Sequence, residues 1–449
     1  MPRYKQTLFL FRRDLRLVDN SALNAALQAS QRVIAGFVFD DRQIQPHAYQ
    51  SKPALAFMQQ SLVDLKQQFQ AINAEIALFK GLPEQIIIDL HKQYAIQAVF
   101  INRDYSPFSR RRDAEIAHTC QQLGIVLHVL PDALLCEPEQ ALKADASPYK
   151  VFTAFYNHSR LIPIALPQNL ATGCFLTVPS TATLALIPVT TPLVIDGGRS
   201  SALKQLTKLI DCQHYEANRD FPALSASSGL SAHLKFGTLS VREVFYAIIG
   251  QLGEQHPLLR QLYWRDFFSH IGYHFPNVFG HAFVDKFDKV PWDNKLEYFH
   301  AWADGKTGFP LVDAGMRELN ATGLMHNRVR MVTASFLVKD LHINWRWGER
   351  YFAQHLVDYD PCVNNGNWQW AASTGCDAQP YFRIFNPWLQ QQKFDPLGNY
   401  IYKWLPELQA VPVKILHQWQ TKHFGGFYPA PIINHAEAVQ ITKARFKAC

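Results

Sequence analysis

Five short apolar runs fall in the first 130 residues, separated by helical patterns, and this alternation constrains the fold more than any other feature of the chain. TLFLF (7–11), VIAGFVF (33–39), EIALFK (75–80), AVFIN (98–102) and VLHVL (126–130) have the length and side chains of buried strands. The intervening SALNAALQAS, ALAFMQQSLVDLKQQFQ and SRRRDAEIAHTCQQLG carry apolar residues at the spacing of amphipathic helices. Strands that alternate with helices predict a parallel sheet covered on both faces. No Gly-x-Gly-x-x-Gly follows the first run, so the usual dinucleotide fingerprint is absent.

Beyond residue 130 the rhythm stops. Residues 131–200, with Pro, Thr and Gly gathered around ALIPVTTPLVIDGG, read as a connector running over a surface. From 201 onward the patterns are helical: LSVREVFYAIIGQL, LRQLYWRDFFSHIGYHF, GFPLVDAGMRELNATG and RVRMVTASFLVKDL. A chain of 449 residues exceeds the usual size of one core. The expected division is therefore an α/β domain over 1–130, a connector over 131–200 and an all-helical domain over 201–449.

Lys and Arg outnumber Asp and Glu by 44 to 37, a net charge of +7 that suits a polyanionic partner without requiring one. Seven scattered cysteines with no Cys-x-x-Cys pair suggest neither a disulfide framework nor a zinc site, which fits a reducing cytosol. The first apolar run is interrupted by Arg12 and Arg13 too soon for a signal peptide or a membrane span, so a cytoplasmic location is expected.

All ten tryptophans lie at or beyond Trp264, many beside polar residues, and chemistry is expected there. In RQLYWRDFF, helical spacing aligns Gln261, Trp264, Arg265 and Phe268 on one stripe. Amides read base edges, indoles stack on bases and guanidinium groups hold phosphate, although an amphipathic helix with its aromatic side in a core looks the same. In GLMHNRVRMVTASFLVKDL, Asn327, Arg330 and Met331 share a face while Arg328 points elsewhere; a buried anion or heterocycle and a solvated first turn both fit. In VDYDPCVNNGNWQWAAS, Asn364 and Trp368 stand four apart on one helical face, and Trp370 is rotated from Trp368 by roughly 200°. The two indoles should therefore meet different neighbours. Asp358 and Asp360 suit ribose or ring N–H groups, and without a nearby His or third carboxylate no metal is expected.

These residues resemble the DNA photolyase and cryptochrome family along nearly the whole chain. The likeness is dense in RDFP (219–222), LSAHLKFGTLSVRE (230–243), YWRDFF (263–268), residues 305–341 and NNGNWQWAASTGCDAQPYFRIFNP (364–387), with LFLFRRDLRLVDNSAL at the other end. The resemblance implies a folded FAD held by Tyr215, Ser227, Ser228, Gly229, Leu230 and Ser231, with Asn327, Arg330, Asp358, Tyr359 and Asp360 around its rings and Asn364 facing flavin N5. It implies an electron-transfer chain of Trp368, Trp345 and Trp292 from flavin to surface. Trp264 and Trp370 would enclose the lesion, Gln261, Arg265, Asn327 and Arg328 would contact DNA, and Met331 would sit beside the lesion. The implied activity is light-driven splitting of cyclobutane pyrimidine dimers in UV-damaged DNA by a monomer without a membrane or an obligate protein partner.

The match departs in three places. Gln261 stands where the dimer-repairing class usually has a glutamate; an amide both donates and accepts but cannot supply a carboxylic proton. Gly229 replaces an arginine often found in that loop, and Arg103 replaces the acidic residue of the folate-type antenna pocket. The antenna site would accordingly hold a deazaflavin- or flavin-type chromophore rather than a folate, or none. Six-four photolyases need paired histidines where Asn327 and Met331 stand, which favours dimer repair. A cryptochrome photoreceptor without repair activity is the main rival; retention of Trp264, Trp370 and Met331, and a chain ending at Cys449 soon after the family region, favour the enzyme.

Overall fold

The computed structural model describes residues 2–186, 193–224, 226–377 and 382–449. The chain forms two compact units, Met1–Gln213 with Ser228–His274, and His214–Ser227 with Phe275–Cys449. These units cross the linear division expected from the sequence, because Ser228–His274 groups with the α/β segment.

All five expected strands form: β1 (Tyr4–Phe11), β2 (Ser30–Phe39), β3 (Ala77–Lys80), β4 (Ala98–Asn102) and β5 (Val126–Leu130). They make one parallel sheet in the order β3-β2-β1-β4-β5. Alternation along β1 sorts its side chains between two layers. Leu8 and Leu10 join a core with Ile87, Leu90 and Ile116 of the helices Pro83–Tyr94 and Pro107–Leu123. Phe11 turns the other way, onto Phe69 of the helix Lys52–Ala71 at 5.8 Å. Side-chain caps start these helices: Ser51 accepts from the Ala54 amide and Ser106 from that of Ser109. The helix Pro83–Tyr94 has no counterpart in the sequence reading, because its run of three isoleucines carries no period that separates helix from strand.

The expected connector contains a helix, Phe152–Ser159, and its 187–192 stretch lies outside the described residues. Phe152 and Phe155 of that helix pack on Phe267 of the long helix Leu259–His274, at 5.7 and 5.4 Å. Asp266 of the same long helix, fully buried, accepts from the backbone amides of Leu135 and Cys136 at 2.8 and 3.1 Å. Burial raises its pKa to about 7 against the lowering effect of Arg265 and those two amides. The folded state therefore holds this proton while the unfolded chain releases it near pH 4, so Asp266 contributes stability that is lost as pH rises toward 7. Asp266→Asn should flatten the fall in thermal stability between pH 4 and 7, and parallel wild-type and variant melting curves across that range would refute the assignment.

In the second unit the helices Pro310–Thr322, Asn327–Lys339, Trp345–His355 and Pro361–Ala372 enclose a core that includes Trp302, Phe336, Trp345 and Trp368. Gly348 is what lets the last two helices meet: a Cβ there would lie 2.2 Å from the Trp368 ring and 2.5 Å from Leu337. Gly348→Ala is expected to cost about 2 kcal/mol through overpacking, read as a shift in the urea midpoint with unchanged slope.

Candidate functional site

The first unit carries Gln261, Trp264 and Arg265 on the helix Leu259–His274. They form the half-exposed stripe of a helix whose other central residues are buried, as the spacing predicts. One face of Trp264 lies on Phe152, centroids 3.5 Å apart and planes 6° from parallel. The Arg265 guanidinium donates to the carbonyls of Ala133 and Leu234, its side chain is 15% exposed, and Asp266 lies 3.5 Å away. The helical period could not reveal these partners because it says which way a residue faces and not what meets it. Ser228, Gly229, Leu230 and Ser231 lead into the helix Ser231–Phe236. Gly229 has φ +63° and a Cβ there would meet the Gln205 amide at 2.8 Å, so the backbone at this place favours glycine.

The second unit gathers the remaining expected residues. Asp360 caps the helix Pro361–Ala372 by accepting from the amides of Cys362 and Val363. On that helix Trp368 is buried against Trp302 and Phe352, whereas Trp370 is half-exposed with Phe385 as its ring neighbour, so the two indoles do meet different surroundings. The four amides of NNGNWQW divide as well. Asn365 and Gln369 donate to the carbonyl of Val278, and Gln369 also holds His281 and Phe283, so both brace a loop. Asn367 returns to its own helix at Val363. Asn364 alone turns to a different group: its Nδ2 donates to the backbone carbonyl of buried Glu349 at 3.0 Å and to the Glu349 carboxylate at 3.3 Å.

Arg330 forms a two-pronged pair with Asp358, 3.2 and 3.0 Å, and also donates to the Met325 carbonyl. Asn327 is exposed and reaches Met331 one turn on. Their helix is capped by His326, whose Nδ1 accepts from the Arg328 amide; burial lowers this histidine to about 4, so the ring stays neutral as that role requires. Arg328 is held by Asp220 at 2.8 Å and over the Phe394 ring at 4.4 Å. Tyr359 packs against the core, Tyr215 is half-buried with Arg219 over its ring, and Ser227 is exposed.

The tryptophans differ in one chemical respect. The indole N–H groups of Trp302 and Trp419 donate to carbonyl oxygens, whereas those of Trp292 and Trp345 are buried without an acceptor, a trait shared by Trp404. A buried N–H without a partner has a free-energy cost that packing alone does not explain.

Comparison with known proteins decides the family. The profile of DNA photolyase matches residues 7–169, and that of the FAD binding domain of DNA photolyase matches residues 258–448. A deoxyribodipyrimidine photo-lyase from Synechococcus is 38% identical over 467 residues, covering 98% of this chain and 95% of that protein. The chain belongs to the DNA photolyase family. Among solved structures, a photolyase from Sulfolobus tokodaii with two FAD molecules superimposes with a TM-score of 0.91 at 41% identity, covering 99% of this chain and all of that one. A cryptochrome from Synechocystis superimposes at 0.90 with 30% identity, covering 99% and 100%.

For this photolyase-family chain the sequence reading missed Glu349, Asp220, Phe394 and Phe152. Glu349 stands four residues after Trp345, on the same helical face, and that spacing was the available signal. The other three lie far along the chain from the residues they support. No helix among the described residues is long and apolar enough to cross a membrane.

Proposed function

We propose that this protein is a light-dependent deoxyribodipyrimidine photo-lyase that restores cyclobutane pyrimidine dimers in UV-damaged DNA. The observation that carries the reading is the gradation of burial along the positions assigned to an electron-transfer chain, with Trp368 and Trp345 buried and Trp292 half-exposed. The donor set of the second unit fits FAD: Arg330 and Asp358 offer a rigid charged edge and Asn364 a buried amide. FAD, when bound, supplies absorption of light and the electron that opens the dimer.

The chain's own residues perform the rest. Glu349 takes up the donor side of Asn364 and leaves the amide oxygen to face the ring system. Trp368, Trp345 and Trp292 return reducing equivalents from the surface. Trp264 in the one unit and Trp370 in the other are each half-exposed and leave a ring on which a base can stack, and Gln261 offers an amide for hydrogen bonds to bases. Extrusion of the target is the behaviour known for photolyases generally, and a poorly stacked dimer lowers its cost. The α/β unit suits a second, flavin- or deazaflavin-type chromophore. Arg12 and Arg13 leave β1 at the carboxyl end of the sheet, where open α/β folds take ligands, and the Sulfolobus relative holds two FAD molecules.

The rival reading, a photoreceptor without repair activity, draws on the cryptochrome likeness and on Gln261. Illumination of the purified holoprotein with oligonucleotides carrying a dimer or a six-four lesion separates the possibilities. Reversal of the dimer alone is expected, with Gln261→Glu raising the yield per photon because a carboxylic acid can supply the proton that an amide cannot. Reversal of the six-four lesion alone, or of neither, would overturn the assignment.

A further inference from the structure

Arg265, Arg328 and Arg330 are each committed to partners inside their own unit, the first to two carbonyls and the others to Asp220 and Asp358. The cations that remain beside the Trp264 stripe lie elsewhere. Arg260 begins the first turn of the same helix, four residues before Trp264 and therefore on its face. It is exposed, and its guanidinium lies 5.2 Å from the Phe152 centroid and 5.3 Å from that of Tyr156. Arg160, also exposed, follows the helix Phe152–Ser159 and lies 5.8 Å from the same Tyr156 ring. Neither arginine pairs with a carboxylate among the described residues. The half-exposed rings of Trp264 and Tyr156 are thus bridged by buried Phe152, stacked on both, and together make an aromatic ledge with two unneutralised cations along its border.

We propose that this ledge is a DNA-strand contact, with Arg260 and Arg160 holding backbone phosphates beside the lesion-facing Trp264. Stacking occupies the flat face of a guanidinium and leaves its in-plane N–H donors for an anion. It also fixes the side chains before binding, so less rotamer freedom is lost when phosphate arrives. Two point charges on an aromatic base suit a polyanionic strand, and the net charge of +7 complements it. The inference rests on the DNA reading above and assigns the phosphate contacts expected at Arg265 to Arg260 and Arg160.

The test is a salt titration of holoprotein binding to two duplexes, one with a thymine dimer and one undamaged, followed by fluorescence anisotropy. Arg260→Gln and Arg160→Gln should each lower the slope of log affinity against log salt by about 0.9. The double variant should weaken both duplexes by a similar factor, on the order of tenfold. Arg260→Lys keeps the charge and should keep the slope. A wild-type slope in the folded double variant, or a loss confined to the damaged duplex, overturns the proposal while leaving the repair reading intact. If the wild-type protein binds both duplexes without preference for damage, the repair reading fails and the arginine slopes still decide this one. If it binds neither, both fail.

Discussion

Trp368→Phe is expected to leave the purified protein unable to recover reduced flavin under light, with photoreduction slowed by on the order of a hundredfold, about 2.7 kcal/mol at about 1.36 kcal/mol per decade, because a phenyl ring gives up an electron far less readily than an indole. The variant should still reverse dimers once reduced chemically, because the substituted ring serves the supply of electrons and not the lesion. The residue lies within a wall formed by Trp302 and Phe352, at 6.2 and 4.9 Å, and a phenyl ring fills most of the same space. Folding should therefore survive, with flavin absorbance and circular dichroism near wild type. Undiminished photoreduction would remove Trp368 from the relay. A parallel loss of chemically primed repair would instead place it in the repair step.

The second large effect is expected at Arg330. Removing its side chain leaves Asp358, 7% exposed at the side chain, without the two-pronged partner that neutralises it. An abandoned buried carboxylate costs about 3 kcal/mol, and Arg330 also releases the Met325 carbonyl. Arg330→Ala should therefore purify with less FAD and unfold at lower urea concentration, whereas Arg330→Lys should recover part of the stability but not the forked geometry. Replacement of both partners, Arg330→Met with Asp358→Leu, separates the two consequences. Stability should return because no charge is stranded, and FAD content should not. FAD retention by that double variant would show that the pair serves the fold alone.

Periodicity made the sheet readable. Each strand is an apolar run bounded by turn residues, and alternation along β1 supplies both layers, so local pattern and tertiary role agree. The helix Pro83–Tyr94 escaped because three adjacent isoleucines suit a strand equally well, and Phe152–Ser159 because its neighbours look like connector. At the site, spacing separated Trp368 from Trp370 correctly, since that follows from 3.6 residues per turn. It could not assign partners. Arg265 and Arg260 look interchangeable in the sequence, yet one meets the Ala133 carbonyl and the other lies over the rings of Phe152 and Tyr156. Likewise the amides of Asn364 and Asn365 are adjacent letters, and only tertiary placement sends one to Glu349 and the other to Val278.

Gly348 brings the Trp368 ring against the main chain of the very helix that starts with Trp345. A residue larger than glycine at 348 would have to push the two helices, or the Trp368 ring, out of place. In the proposed relay, the missing methyl group thus helps to fix where one of its indoles sits.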